Sequence, residues 1–205
     1  YAHLEPVLDA RMYPHSYACR TGKGTHAAVA WYQRKARRYA YALKLDLARY
    51  FPSIDHTCLK QCLRRALSDQ RVLRMLDRLI DSGGTCAGAL GWAWPGEDLV
   101  DQMHRRVGLP IGNLSSQILA NWYLDSIDWP LAMRPGVGAY LRYVDDLVLL
   151  GDSKDALWAA VDWLDQSLSR LRLRRHSKKI QLQPTRLRMD LLGYQVTRER
   201  RWLRN

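Results

Sequence analysis

Two aspartates stand side by side in the stretch YVDDLVLL (residues 143–150), directly before an apolar run. A third, Asp46, lies near the end of another apolar stretch, YALKLDL (41–47). Clustered carboxylates repel one another unless a cation joins them. Mg²⁺ is a hard cation that takes one or two protein carboxylates and leaves positions for water and phosphate. Two such ions about 3.5–4 Å apart support in-line phosphoryl transfer, so Asp46, Asp145 and Asp146 are candidate catalytic and metal-binding residues. Taken alone, the aspartate pair also fits an exposed turn with local hydrogen bonds.

Hydrophobic periodicity predicts the elements that must position these aspartates. We expect a strand over 41–47, two helices over 55–67 and 71–81, and a loop over 82–96. A helix should then run from a cap at Asn113 or Ser115 to about Trp129, followed by a strand–turn–strand over 139–151. A helix over 153–173 that begins at a serine cap and strand-like stretches over 179–183 and 189–196 complete the order. Thr25 is a candidate cap for an earlier helix. This order predicts an α+β, ferredoxin-like (βαββαβ) fold, in which the first and third strands are central neighbours. Asp46 and the aspartate pair would then share one sheet edge.

Composition limits the partners of the chain. It has 32 Lys and Arg against 20 Asp and Glu, a formal charge of +12, which fits a polyanion such as nucleic acid, or else serves solubility. No apolar run is long enough to span a bilayer and no secretory signal opens the chain, so we expect a cytoplasmic protein without membrane contact. The four cysteines form no CxxC and read as reduced, mostly structural thiols.

Five stretches in order carry a family resemblance: LKLDLARYFPSID, GLPIGNLSSQILANWYLDSID, RYVDDLVLL, RRHSKKIQLQP and LLGYQV. They resemble motifs A to E of a reverse transcriptase palm, and HSYACRTGKGTHAAV (15–29) resembles the segment upstream of motif A in group II intron-like enzymes. The resemblance implies an RNA-directed DNA polymerase that extends a primer 3′-OH with dNTPs, using two Mg²⁺ ions, for which Mn²⁺ can substitute. Domain expectations are partial fingers over 1–40 and a palm over 41–205.

The resemblance also implies roles for individual residues, and it adds Leu47 to the three aspartates as a metal ligand. Nucleotide-binding roles fall on the steric-gate position Phe51, on Ile111 and Gly112 of motif B, on the motif D lysine Lys179, and on Arg20; roles at the primer and template fall on Tyr143, Gly193 and Tyr194. For Phe51 the alternative is a core aromatic, and for Lys179 one more cation in a basic run. The basic runs 34–44 and 169–179 are either solvated faces or tracks for nucleic-acid phosphates.

Motif B departs from the usual pattern, since Ile111 stands where most reverse transcriptases carry Gln. That variant resembles the error-prone enzymes of diversity-generating retroelements, which implies a structured template RNA and a small basic accessory protein as partners. The alternatives are a group II intron-like, retron-like or CRISPR-associated reverse transcriptase, a non-catalytic RNA-binding protein on the same fold, and, more distantly, a nucleotidyl cyclase. The chain begins at Tyr1 and ends soon after motif E, so we expect a palm with part of the fingers and without a thumb, or a segment of a longer protein.

Overall fold

The computed structural model describes residues 4–110 and 113–204, and within these ranges helices alternate with short sheets. The elements are α1 (Leu4–Asp9), α2 (Thr25–Ala36), β1 (Tyr41–Leu47), α3 (Tyr50–Ser53), α4 (His56–Ala66), α5 (Gln70–Asp81), β2 (Thr85–Cys86), a 3-10 helix (Ala87–Leu90), α6 (Leu99–His104), β3 (Arg106–Val107), α7 (Leu114–Ala132), β4 (Ala139–Tyr143), β5 (Asp146–Gly151), α8 (Lys154–Arg170), β6 (Arg175–Pro184), β7 (Met189–Leu191), β8 (Tyr194–Val196) and β9 (Arg201–Leu203).

The central sheet has four strands in the order β4-β5-β1-β6, and each neighbouring pair is antiparallel. Strands β1 and β5 pair from Tyr41 opposite Gly151 to Asp46 opposite Asp146. This is the order of a ferredoxin-like layer, with the first and third strands at its centre. The predicted fold class is confirmed, and the register brings two of the three candidate aspartates directly opposite each other.

The two faces of this sheet bury different clusters because side chains alternate along each strand. Leu43, Leu45 and Leu47 of β1 belong to a core that includes residues of α4, α5, α7 and α8. Ala42 lies on the opposite face, in a second core with residues of α2 and of β7 and β8. Further along that second face the apolar side chains give way to Asp46, which is only partly buried. The sheet therefore has a polar end on the face opposite its main helical layer.

Helix starts follow the expected capping chemistry in most places. The Asp55 carboxylate caps α4, and the Asn113 and Ser153 side chains cap α7 and α8. The prediction that Thr25 caps α2 is wrong, because Gly24 holds the cap position and Thr25 is the first helical residue. The Thr25 hydroxyl instead donates a hydrogen bond to the Tyr143 hydroxyl at 3.1 Å.

Three segments differ from the sequence predictions. Strand β6 begins at Arg175, four residues before the predicted 179. The stretch 189–196 forms a hairpin, β7–β8, around Leu192 and Gly193, which both have positive φ (51° and 80°). A turn with positive φ at both central residues matches the twist of the flanking strands. The predicted loop over 82–96 contains β2 and the 3-10 helix, and β2 pairs with β3.

Two expectations from composition concern the membrane and the thiols. Across the described residues, no helix combines the length and the apolar character needed to cross a bilayer.

The four cysteines carry free thiols, and Cys58 and Cys62 are partly buried on α4. Burial raises the pKa of both thiols, which favours the unreactive protonated form.

Candidate active site

A tight hairpin turn presents the aspartate pair. Tyr143 of β4 lies opposite Asp146 of β5, so Val144 and Asp145 form a two-residue turn. Val144 has a φ of 55°, a conformation that is strained for a β-branched residue. The turn is fixed to the rest of the sheet by the Leu47 amide, which donates to the Asp145 carbonyl oxygen at 3.0 Å. Such strain persists only where the surroundings impose it, and it often marks a functional site.

The turn and the strand register bring the negative charges of the three aspartates together. Asp46 and Asp146 are cross-strand partners and therefore lie on one face of the sheet. Burial raises the pKa of the Asp145 carboxyl, and the charges of Asp46 and Asp146 raise it further. Mutual repulsion of this kind is relieved when a cation binds between the carboxylates.

Beside these carboxylates lies an open cleft of about 420 Å³, lined by Lys44, Asp46, Asp146, Lys178, Lys179, Ile180 and Gln181. The Lys44 ammonium is 3.3 Å from Asp146 Oδ1, and the Lys179 ammonium is 3.2 Å from Asp46 Oδ2. Sequence reasoning missed Lys44. The signal was present, because alternation along β1 places a residue two positions before Asp46 on the same face. The cleft thus pairs acidic groups with cations that could also face a phosphate.

The donor set suits a hard divalent cation in chemical type, since it consists of carboxylate oxygens. In residues 4–110 and 113–204, however, no three Asp, Glu, His or Cys side chains are grouped closely enough to hold one metal ion. Asp46 and Asp146 each turn toward a lysine instead. Leu47, the other predicted ligand, is buried next to Asp46. Metal binding by Asp46, Leu47, Asp145 and Asp146 remains a prediction.

Phe51 lies just beyond β1, in the short helix α3. Its ring is partly buried, and it meets the Tyr50 ring edge-on with centroids 5.7 Å apart. The Leu109 amide donates to the Phe51 carbonyl oxygen at 3.0 Å, so the start of motif B is hydrogen-bonded to α3. The predicted nucleotide-binding residues Ile111 and Gly112 lie outside the described residues. Phe51 is therefore next to the segment that leads into them.

The predicted primer-side residues come from two hairpins. Tyr143 is paired with Asp146 across β4 and β5, which places it on the carboxylate face. Gly193 lies in the β7–β8 turn, and the Tyr194 hydroxyl hydrogen-bonds His26 Nδ1 of α2 at 3.0 Å. Lys44 connects the hairpins, because its ammonium also donates to the Asp190 carbonyl oxygen at 3.1 Å. The β7–β8 hairpin is therefore linked to the carboxylate cluster by one side chain.

Arg20 and Lys179, the other predicted nucleotide ligands, have different surroundings. The Lys179 side chain is 59% exposed at the cleft. The Arg20 guanidinium is buried, is paired with Asp9, and donates to the carbonyl oxygens of Tyr13 and Ser16. Arg20 does not line the cleft. Its contacts organise the N-terminal segment, and its role toward a nucleotide remains a prediction.

The basic run 169–179 is not a uniform phosphate track. Arg172 pairs with the buried Asp55 at 2.9 Å, and Arg175 Nε lies 3.0 Å from both carboxylate oxygens of Asp165. The Arg174 guanidinium lies over the rings of Trp92 and Trp94. Other groups of the protein thus engage these three arginines, although Arg174 is exposed, and Lys178 and Lys179 are the cations of the run that line the cleft.

Comparison with known proteins identifies a family. The model of the family described as Reverse transcriptase (RNA-dependent DNA polymerase) matches residues 1–196. Among curated proteins, Protein YkfC of Escherichia coli (strain K12) is 23% identical, with 72% of this chain and 45% of that protein covered.

Solved structures of telomerases share the fold. Apo telomerase from Candida tropicalis, truncated from the C-terminal domain, superposes with a TM-score of 0.71 at 11% identity, covering 98% of this chain and 45% of that one. Telomerase from Candida albicans in complex with a TWJ fragment of telomeric RNA gives a TM-score of 0.60 at 12% identity, covering 96% and 35%. The chain thus spans less than half the length of each of these proteins.

Proposed function

The chain belongs to the reverse transcriptase family, and from that premise we propose that it forms the palm of an RNA-directed DNA polymerase. Its substrates would be an RNA template, a DNA or RNA primer and dNTPs. The observation that carries the proposal is the register that sets Asp46 opposite Asp146, beside the strained turn that holds Asp145. The match of the family model over residues 1–196 supports the same conclusion.

In this proposal, Asp46, Asp145 and Asp146, together with Leu47, hold two Mg²⁺ ions, for which Mn²⁺ can substitute. When bound there, such ions would supply activation of the primer hydroxyl and stabilisation of the leaving pyrophosphate oxygen. Burial raises the pKa of the Asp145 carboxyl, the charges of Asp46 and Asp146 raise it further, and a bound cation would offset both effects. Lys44 holds Asp146 and Lys179 holds Asp46, so both lysines would have to exchange these carboxylates for phosphate oxygens when cations and substrate bind.

Other residues orient the substrates. Phe51 lies beside the motif B segment, where its ring would exclude a ribose 2′-hydroxyl. Tyr143 and the Gly193–Tyr194 turn support the primer end, and Lys179 neutralises or protonates the pyrophosphate. The formal charge of +12 favours a polyanionic partner. Contacts with the phosphates of the hybrid would be insensitive to sequence and strongly dependent on salt.

We further propose a member of the diversity-generating retroelement type, working in the cytoplasm with a structured template RNA and a small basic accessory protein. Ile111 in motif B supports this assignment, because isoleucine cannot form the hydrogen bond that glutamine would offer the nucleotide. A site without that bond constrains the nucleotide less. Replacement of Ile111 by Gln should therefore lower misincorporation opposite template adenine. An unchanged error spectrum in I111Q would favour the group II intron-like, retron-like or CRISPR-associated alternatives.

Primer extension on an RNA template tests the main proposal. The wild type should extend a DNA primer with dNTPs and Mg²⁺, and Asp145→Ala should reduce extension by at least about 10³-fold, because a metal-binding group is lost. Asp162→Ala is the matched control, since Asp162 is exposed on α8 away from the cleft. If the wild type binds an RNA–DNA hybrid but neither it nor the control extends the primer, the result favours either the non-catalytic RNA-binding alternative or a requirement for the accessory partner.

A further inference from the structure

The regular pairing of strand β6 with β1 is interrupted at Asp46. Leu45 is paired with Ile180, whereas Leu47 is paired with Arg175. One residue of β1, Asp46, therefore faces four residues of β6, from His176 to Lys179. This stretch, residues 176–179, is called the arch below. Extra residues in one strand of a pair form a bulge, in which they make no ladder hydrogen bonds and a side chain can point in a new direction. Here that side chain is Lys179, which reaches Asp46 at 3.2 Å.

The chain that enters the arch is held by aromatic and polar contacts on its N-terminal side. The Arg174 guanidinium lies 5.4 Å from the centroid of Trp92 and 4.8 Å from that of Trp94, and it donates to the Ala93 carbonyl oxygen at 2.8 Å. Its own carbonyl oxygen accepts the Ala48 amide, two residues beyond Asp46. Arg174 thus joins the strand end that carries Asp46 to the 92–94 segment.

A buried ion network fixes the same region. Asp55 is fully buried and binds both Arg172 and Arg105, at 2.9 and 3.3 Å. Glu97 is also buried and contacts the same two arginines, at 3.5 Å for Arg172 and 2.9 Å for Arg105. Buried charges persist only when they are paired, so this network has one favoured arrangement. The segment 92–105 is therefore attached to the chain that precedes the arch by both aromatic and ionic contacts.

We propose that segment 92–105 and Arg174 together form a clamp that positions the arch, and with it Lys179, for nucleotide addition. Arg174 and Trp94 are its central positioning residues, and neither touches the substrate. The inference rests on the proposed function, since it assigns the clamp to the same reaction. An alternative use of Arg174 is direct contact with a nucleic-acid phosphate. The two uses differ in chemistry. A phosphate accepts either lysine or arginine, whereas an ammonium is a poor replacement for a guanidinium that lies over two indole rings and donates to the Ala93 carbonyl oxygen.

The kinetic experiment measures single-nucleotide incorporation by the full protein on an RNA–DNA hybrid. Arg174→Ala and Trp94→Ala should lower kcat about tenfold, with little change in the KM for the nucleotide or in hybrid affinity. Trp94→Phe should retain the rate, and Arg174→Lys should behave like Arg174→Ala. Arg186→Ala, at an exposed site in the turn after β6, is the control. Rescue by Arg174→Lys, or a loss confined to hybrid affinity, would overturn the clamp in favour of phosphate contact.

A double-mutant cycle with Lys179→Ala isolates the positioning role. If the clamp acts through Lys179, Arg174→Ala should have no further effect on kcat in the Lys179→Ala background. Independent losses that multiply would overturn the proposal. Hydrogen exchange provides a readout that does not depend on activity: amides 176–179 should exchange faster in Arg174→Ala, while those of β5 are unchanged. Inactivity of the wild type would refute the proposed function. The exchange experiment would still test the clamp, and unchanged exchange rates of amides 176–179 in Arg174→Ala would overturn it.

Discussion

The Arg142 guanidinium and the Asp128 carboxylate form a fully buried ion pair behind the turn that carries Asp145. Arg142 Nη2 lies 2.7 Å from Asp128 Oδ2, with the two side chains 0% and 1% exposed. Arg142 also binds the side chain and carbonyl oxygens of Asn121 and reaches the Val144 carbonyl oxygen at 3.3 Å. Asp128 and Asn121 belong to α7, so this pair joins the helix that carries most of the motif B stretch to the strained turn that holds Asp145.

Removing one member of the pair should make the protein less stable. Asp128→Asn leaves the guanidinium buried without its counter-charge, which should lower the free energy of unfolding by about 3–5 kcal/mol. Urea denaturation measures this change. The double variant Arg142→Met/Asp128→Leu replaces both charges by apolar groups and should recover most of the lost stability. It should nevertheless extend primers poorly, because the Val144 carbonyl oxygen has lost a donor. Full activity in the double variant would show that the pair serves stability alone.

The stability of the protein should depend on Asp125 near neutral pH. Burial raises the pKa of this carboxyl from 3.8 to about 6, the Tyr13 amide opposes the shift, and the nearby Asp128 charge adds to it. The folded state therefore holds the proton more tightly than the unfolded chain does. This contribution to stability is fully present below pH 3.8 and is lost as the pH rises through about 6.

Asp125→Asn removes that titration and keeps an oxygen that can accept the Tyr13 amide. The variant should match the wild type in unfolding free energy near pH 4 and exceed it by about 1 kcal/mol at pH 8, after allowance for solvent screening of this partly exposed group. Urea titrations at the two pH values give the comparison, with Asp162→Asn as the exposed control. An equal difference from the wild type at both pH values would show that Asp125 does not titrate as described.

Phe51 should control the choice of sugar. Phe51→Ala opens the space beside the motif B segment, so discrimination against ribonucleotides should fall roughly 10–100-fold, by the loss of a steric contact. Competing incorporation of dCTP and CTP opposite a template guanine measures the ratio. Phe51→Tyr retains the ring and should retain the discrimination. If Phe51→Ala changes the rates with both sugars equally, the ring is a packing residue, as its contact with Tyr50 alone would suggest.

Much of this architecture was predictable because it is local in sequence. The alternation of YALKLDL predicts β1 with its observed bounds, and the two flanking apolar strands predict a turn at the aspartate pair, which the structure places at Val144 and Asp145. Contacts between distant residues could not be predicted in the same way. The Arg142–Asp128 pair and the contact between Arg172 and Asp55, 117 residues apart, depend on how the helices pack on the sheet.

Three residues have surroundings that depend on contacts the sequence does not reveal. Arg20 carries the charge expected of a nucleotide ligand, but Asp9 and two carbonyl oxygens satisfy it within its own segment. Thr25 has the chemistry of a helix cap, yet its hydroxyl is used by Tyr143, which is 118 residues away. Lys44 is one cation among many in the sequence. Alternation along β1 places it on the face of Asp46, and the pairing of β1 with β5 adds that it contacts Asp146.

Binding of Mn²⁺ by the carboxylate cluster, followed by electron paramagnetic resonance of the free ion, is the most direct test of this account. The wild type and Asp162→Ala should bind Mn²⁺ equally, and Mg²⁺ should displace it from both. Asp145→Ala should bind at least about tenfold more weakly, because one of the three carboxylates proposed to bind the ion is gone. Equal Mn²⁺ affinity in Asp145→Ala and the wild type would contradict the assignment of Asp46, Asp145 and Asp146 as a divalent-cation site.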